Sequence, residues 1–96
     1  TVTNRGLAIL ICGSGNGACM AANKVHGIRA ALGYNIEAAE MARKHNNANA
    51  LCLAGRVLSD DHATAIVKKF LESEFSTDPK YARRNDKITT YENSSK

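Results

Sequence analysis

The run Leu7-Ala8-Ile9-Leu10-Ile11-Cys12-Gly13-Ser14-Gly15-Asn16-Gly17 joins two kinds of sequence. Its first six residues are apolar without interruption and end at a glycine. A run of that length reads as a strand buried on both faces, as in a parallel sheet. Gly13 to Gly17 then reads as a loop. Ala18 to Lys24 carries Ala18, Met20, Ala21 and Ala22, all good helix formers, and predicts a short helix closed by His26-Gly27.

The same alternation recurs downstream. Ile28 to Leu32 is a second, weaker strand, and Asn35 is placed to cap a helix over Ile36 to His45, with Glu40 and Lys44 in the favourable i,i+4 order. Asn46-Asn47 stops that helix. Ala48 to Leu53 is a third strand, ended by Ala54-Gly55. Ser59-Asp60-Asp61 supplies a cap and two carboxylates at the positive end of a third helix. Ala63, Ile66, Val67, Phe70 and Leu71 form its apolar stripe, and Lys68 and Lys69 suit its C-terminal end. After a break at Ser76 to Pro79, Lys80 to about Thr90 predicts a basic helix, with Glu92 to Lys96 frayed.

Strand and helix alternating three times define an α/β protein. The expected fold is a Rossmann-like parallel sheet with flanking helices and right-handed crossovers. The 96 residues make one domain, 1–96, with a basic tail from about 79 to 96. Three parallel strands leave two sheet edges open. That predicts a portion of a larger doubly wound sheet, or a piece completed by partners.

Composition removes several classes. Hydrophobic residues are 44% and charged residues 23%, which are globular proportions. No apolar run approaches the ~18 residues of a membrane span, and Thr1 to Gly6 lacks the layout of a signal peptide. Net charge is only +4, and aromatic content is 5% without Trp. Neither a duplex-binding face nor a base-stacking platform is expected. Cys12, Cys19 and Cys52 follow no disulfide or zinc spacing, which fits a reducing cytoplasm.

The glycine loop carries the chemistry. In open α/β sheets ligands sit at the C-terminal ends of strands. Glycines let a ligand approach the backbone, and free helix amides face negative oxygens. The loop therefore reads as an anion or oxyanion cradle, or as a tight turn that binds nothing. Gly13, Gly15 and Ala18 satisfy a relaxed dinucleotide fingerprint, but Gly33-Tyr34-Asn35 stands where that site needs an acid. The Gly-Lys-Ser/Thr of a P-loop is absent.

Cys12 precedes the cradle, where amides would favour its thiolate as nucleophile or base. By position alone it fits a core cysteine equally well, and Cys52 reads as core. Cys19 suggests no partner. His45 suits proton transfer near neutral pH, or simply the end of a helix dipole. Asp61-His62 reads as a solvated first turn, and His26 as exposed. Lys80, Arg83, Arg84 and Lys87 suit a phosphate ester or a solvated basic face. Arg56, just past the third strand, lies at the ligand end of the sheet.

Five blocks of this chain together resemble the B-type ribose-5-phosphate isomerases, with galactose-6-phosphate isomerase subunits as close relatives. They are Ile9 to Gly17, Ala21-Ala22-Asn23-Lys24-Val25, Gly27-Ile28-Arg29-Ala30, Ala42 to Asn49, and Gly55-Arg56-Val57. The similarity runs from about Gly6 to Ile88, in order. It implies an aldose–ketose isomerase of sugar phosphates, working through a cis-enediolate without metal or cofactor. It implies ribose 5-phosphate as substrate, with galactose or allose 6-phosphate, or a non-catalytic binding subunit, as the alternative.

The resemblance also implies residue roles. Cys12 is the general base, and Gly13, Gly15, Asn16 and Gly17 cradle the enediolate. Ser14 contacts the reacting end of the substrate. His45 helps open the sugar ring and Asn46 contacts substrate. Arg56, Lys80 and Arg84 bind substrate or phosphate. The site is expected between two subunits of a homodimer or tetramer, with His45 and the basic cluster supplied across the interface. No nucleic-acid or membrane partner is implied.

Three departures from the family pattern stand out. The family's opening strand, with its Asp-His pair, precedes the matched region, so the chain corresponds to the C-terminal portion of the fold. Lys80-Tyr81 replaces the usual Arg-His. Ala18 stands where some relatives place a Glu as base, leaving Cys12 as the candidate.

Overall fold

The computed structural model describes residues 6–95. The polar start at 1–5 and Lys96 lie outside them. The elements follow the order β1 (Ala8–Cys12), α1 (Asn16–Ala22), β2 (Ala30–Leu32), α2 (Ile36–Lys44), β3 (Ala50–Ala54), α3 (Asp60–Glu72) and α4 (Pro79–Ser95). The strands form one parallel sheet in the order β1-β3-β2. The α/β Rossmann-like expectation holds.

Strand β3 is the centre of the molecule. Its side chains alternate between two packed faces. Leu51 and Leu53 join Ala39 and Ala42 of α2 and Ile66 and Phe70 of α3 in the main core. Cys52, also fully buried, lies on the opposite face against Cys19 of α1. Burying each of the large side chains contributes roughly 1.5–3 kcal/mol.

The helix ends obey their caps. Asn35 Oδ1 accepts from the Ala38 N–H at 2.7 Å, and Ser59 Oγ accepts from the His62 N–H at 3.2 Å. Glu40 and Lys44 pair at 2.7 Å. After α2 the chain reverses through Asn47 at φ 49, with the Asn47 N–H bonded to Arg43 O and the Ala48 N–H to Ala42 O. The bond from Asn47 to Arg43 is the five-to-one bond of an αL closure, with asparagine in the left-handed position. Buried Arg43 donates to Ala48 O at 2.6 Å and to Asn47 Oδ1 at 3.0 Å, holding the same turn.

Four expectations are corrected. Strand β1 is not buried on both faces: Ile11 is 69% exposed, because β1 is a sheet edge among the described residues and α3 packs over β3. Helix α1 starts at Asn16, so Asn16 and Gly17 belong to its first turn; Gly15 is the cap residue at φ 82, and the Cys19 N–H closes that turn on Gly15 O. The second strand starts at Ala30, since the Ile28 N–H turns back to Val25 O and the Arg29 N–H is taken by Asn49 Oδ1. Helix α4 continues to Ser95 instead of fraying at Glu92; both Glu92 carboxylate oxygens accept from the Gly27 N–H at 3.3 Å.

Candidate active site

Two clusters of candidate residues form, at opposite ends of the sheet. The first surrounds the loop after β1. The Gly15 N–H donates to Cys12 Sγ at 3.1 Å, so the half-buried thiol sits inside the loop's own turn. The Asn16 N–H donates to Ser14 Oγ at 3.3 Å. The N–H groups of Gly17 and Ala18 lie in the first turn of α1, where no intrahelical carbonyl reaches them. The loop is tied to the end of β3 by the Gly55 N–H on Cys12 O at 2.7 Å and the Arg56 N–H on Gly13 O at 3.0 Å.

Arg56 joins this cluster directly. A side chain at position 13 would meet Arg56 Nε at 3.1 Å and Cζ at 3.2 Å, so the guanidinium lies across Gly13. Gly15 is required twice over. Its φ is +82°, and a Cβ there would meet Leu32 Cδ1 at 2.7 Å and the Leu53 carbonyl carbon at 3.2 Å. Any other residue would be strained and would push the loop off the sheet.

The other two thiols lie below. Burial first, and the neighbouring Cys19 second, push the Cys52 thiol up to about 12, so it stays protonated at neutral pH. The Cys19 thiol donates to Ala30 O at 3.6 Å.

The second cluster collects around the turn after α2. The rings of His45 and Tyr81 stack with centroids 4.2 Å apart and planes 8° from parallel. Lys80 Nζ lies 5.1 Å and Arg84 Cζ 5.8 Å from the Tyr81 centroid. Asn85 Nδ2 donates to His45 O at 2.9 Å, and Asn46 Nδ2 donates to Asn85 Oδ1 at 3.4 Å. Arg29, at the start of β2, donates to Asn46 O at 2.8 and 3.2 Å.

The register shows how far apart the clusters are. Cys12 pairs with Ala54 at the C-terminal end of β3, whereas the His45–Asn46 turn precedes Ala50 and is held by Arg29 at the other end. Five strand residues span roughly 15 Å. Within one chain the structure thus brings Cys12, Ser14 and Arg56 together, and His45, Asn46, Lys80 and Arg84 together, but not one group to the other. Tyr81 enters the sequence reading only as a departure from the family's Arg-His pair, with no role given to it, and Asn85 is not singled out. Their i,i+4 spacing on a basic helix was the signal available. His26 is exposed, with Nδ1 at 4.0 Å from Glu92 Oε2. His62 lends its N–H to the Ser59 cap. Among the described residues, no helix is long and apolar enough to cross a membrane.

Fold and loop together define a Rossmann-like α/β protein with a thiol at an amide-rich strand end. The family model described as Ribose/Galactose Isomerase matches residues 2–88. The chain belongs to the ribose/galactose isomerase family. It is 48% identical over 90 residues to a probable ribose-5-phosphate isomerase B of Mycoplasma genitalium, covering 94% of this chain and 59% of that protein. The type B ribose 5-phosphate isomerase of Leishmania infantum superposes with a TM-score of 0.93 at 40% identity, over 95% of this chain and 60% of that one. The ribose-5-phosphate isomerase B of Mycoplasma genitalium with bound ribulose-5-phosphate does so with a TM-score of 0.89 at 48% identity, over 93% and 58%. The chain therefore spans about 60% of the length of the relatives it matches.

Proposed function

We propose that the chain carries the catalytic loop of an aldose–ketose isomerase that interconverts ribose 5-phosphate and ribulose 5-phosphate. The observation that carries this is the Cys12 thiol held in the glycine loop, 3.1 Å from the Gly15 N–H. The relatives' names supply the substrate.

Isomerisation moves a hydrogen from C2 to C1 and a proton from O2 to O1; nothing is gained or lost. Removing the C2 proton needs a base beside a site ready for a negative oxygen. Cys12 takes that proton and returns it to C1. The loop amides from Gly13 to Gly17, with Ser14 Oγ, stabilise the enediolate between the two steps. His45 moves the proton that opens the sugar ring, and Asn46 orients the substrate. Arg56, Lys80 and Arg84 neutralise the phosphate and fix the sugar at a distance, which lowers the entropy cost of the proton transfer.

The separation of the two clusters supports a site shared between copies. In this reading His45, Asn46, Lys80 and Arg84 of one copy face Cys12 of another, in a homodimer or tetramer with the chain as a single domain. The three free thiols favour a reducing compartment such as the cytoplasm. The family description names galactose beside ribose, which favours six-carbon 6-phosphates as the second reading. The test is direct detection of ribulose 5-phosphate formed from ribose 5-phosphate by this chain, with its mass in solution. Turnover only with a six-carbon phosphate would move the assignment to the second reading. Binding of sugar phosphate without turnover would make the chain a binding subunit.

A further inference from the structure

We propose that Tyr81 and Asn85 of α4 are positioning residues for the His45–Asn46 turn, and that they lock the ring-opening histidine to the phosphate-binding cations. The proposal rests on the isomerase reading above, and it deepens one half of that site.

His45 stands at the end of a nine-residue helix, half-buried, on a turn that continues into exposed Asn46 and Asn47. An imidazole there has several rotamers within reach. The Tyr81 ring removes that freedom, because it lies flat on the imidazole with centroids 4.2 Å apart and planes 8° from parallel. Stacked aromatic rings attract one another beyond what their buried area alone supplies. One helical turn on, Asn85 is only 7% exposed. Its carboxamide uses both ends. Nδ2 donates to the His45 carbonyl, and Oδ1 accepts from Asn46 Nδ2 and from Arg29 Nη2.

The turn is thus held at three points: the His45 ring by Tyr81, the His45 backbone by Asn85, and the Asn46 side chain by Asn85. Arg29 closes the cluster by donating to Asn46 O. Tyr81 also sits beneath Lys80 and Arg84, whose positive heads favour its electron-rich face. A single helix therefore carries the two cations and clamps the histidine, so the distance between ring-opening group and phosphate site is set by one rigid element. Neither Tyr81 nor Asn85 is assigned a contact with substrate. They act through His45 and Asn46.

The test compares Tyr81→Phe and Tyr81→Leu in the full chain, reading both proton NMR and kinetics. The ring protons of His45, assigned with His45→Gln, are expected upfield of those of His26 and His62, because the Tyr81 ring current shields them. Tyr81→Phe is expected to keep that shift and to hold kcat/KM within about twofold. Tyr81→Leu is expected to lose the shift and about tenfold in kcat/KM, the scale of loss when a catalytic group is misplaced by less than 1 Å. Asn85→Ala is expected to move the His45 and Asn46 backbone amide signals and to lower kcat/KM similarly. An unchanged His45 shift in Tyr81→Leu overturns the proposal whatever the activity. A lost shift with undiminished turnover overturns it as well. If the parent chain gives no turnover with any sugar phosphate, the isomerase reading fails and the role assigned to His45 fails with it; a shift lost in Tyr81→Leu would then identify only a stack.

Discussion

The Gly15 N–H donates to Cys12 Sγ across 3.1 Å, closing a four-residue turn around a sulfur at the end of a strand. The thiol and the backbone donors nearest it therefore belong to one loop, and Arg56 is pinned to the same loop by its own N–H on Gly13 O. Alignment of these groups needs no movement of the sheet.

Cys12→Ala should therefore separate chemistry from folding. We expect isomerase turnover to fall by about 10²–10⁴-fold, the usual contribution of a positioned proton-transfer group. The thermal melt should move little, since the side chain is half-buried and leaves no large cavity. Turnover assays beside circular dichroism melts check both halves.

The two glycines of the loop should respond in opposite ways. Gly15→Ala forces a Cβ onto Leu32 Cδ1 at 2.7 Å with φ at +82°. Backbone strain alone costs about 1–2 kcal/mol, and the clash adds to it. A Cβ at position 17 would meet nothing within 4 Å, and Gly17 lies in helix α1. Gly17→Ala should leave stability unchanged or raise it by up to about 1 kcal/mol. Urea unfolding of the pair gives the contrast.

Phe70 is fully buried between α3 and the sheet, beside Leu51, Leu53 and Ile66. Phe70→Ala should cost about 3–5 kcal/mol. A loss below about 1 kcal/mol in chemical denaturation would contradict the packing described.

Alkaline pH should weaken the fold through Cys52. Its thiol ionises near 9 when unfolded and at about 12 in the fold, so the folded state holds the proton more tightly between those values. Stability is unaffected by this group below about pH 9 and falls as pH rises toward 12. Cys52→Ala should remove that part of the slope, read by urea unfolding at a series of pH values. At pH 8 native Cys52 should also resist iodoacetamide longer than Cys12, as peptide mass mapping would show.

Mixing two inactive variants tests the shared site. Cys12→Ala and His45→Ala chains should each be inactive alone. In a symmetric dimer, random exchange makes half the molecules mixed, each with one intact site, so about a quarter of parental activity should return. No recovery after verified subunit exchange would exclude a site built across copies.

Much of this architecture was legible in the sequence because its signals are local. Asn35 and Ser59 announce their caps within three residues, and the stripe from Ala63 to Leu71 shows its buried side by spacing alone. The Cys12 loop and Arg56 were legible for a related reason, since both lie at strand ends that the α/β pattern puts on one side. Ile11 was misread because a run of six apolar residues does not reveal which strand is central. Order β1-β3-β2 is a property of the pairing, not of any one strand. Asn85 escaped notice because its partners Arg29 and His45 lie 56 and 40 residues away. A polar residue on a polar helix carries no mark of burial until that helix is docked.

The placement of β3 has a consequence for how the molecule assembles. Strands β1 and β2 touch β3 and not each other. Among the described residues, β1 and β2 therefore have no ladder to each other until β3 is in place. Residues 50–54 then close two ladders at once, the one to β1 spanning 42 residues from Ala8 to Ala50. Both ladders thus wait on one strand far along the chain, and pairing over such sequence separations pays loop-closure entropy before any contact rewards it.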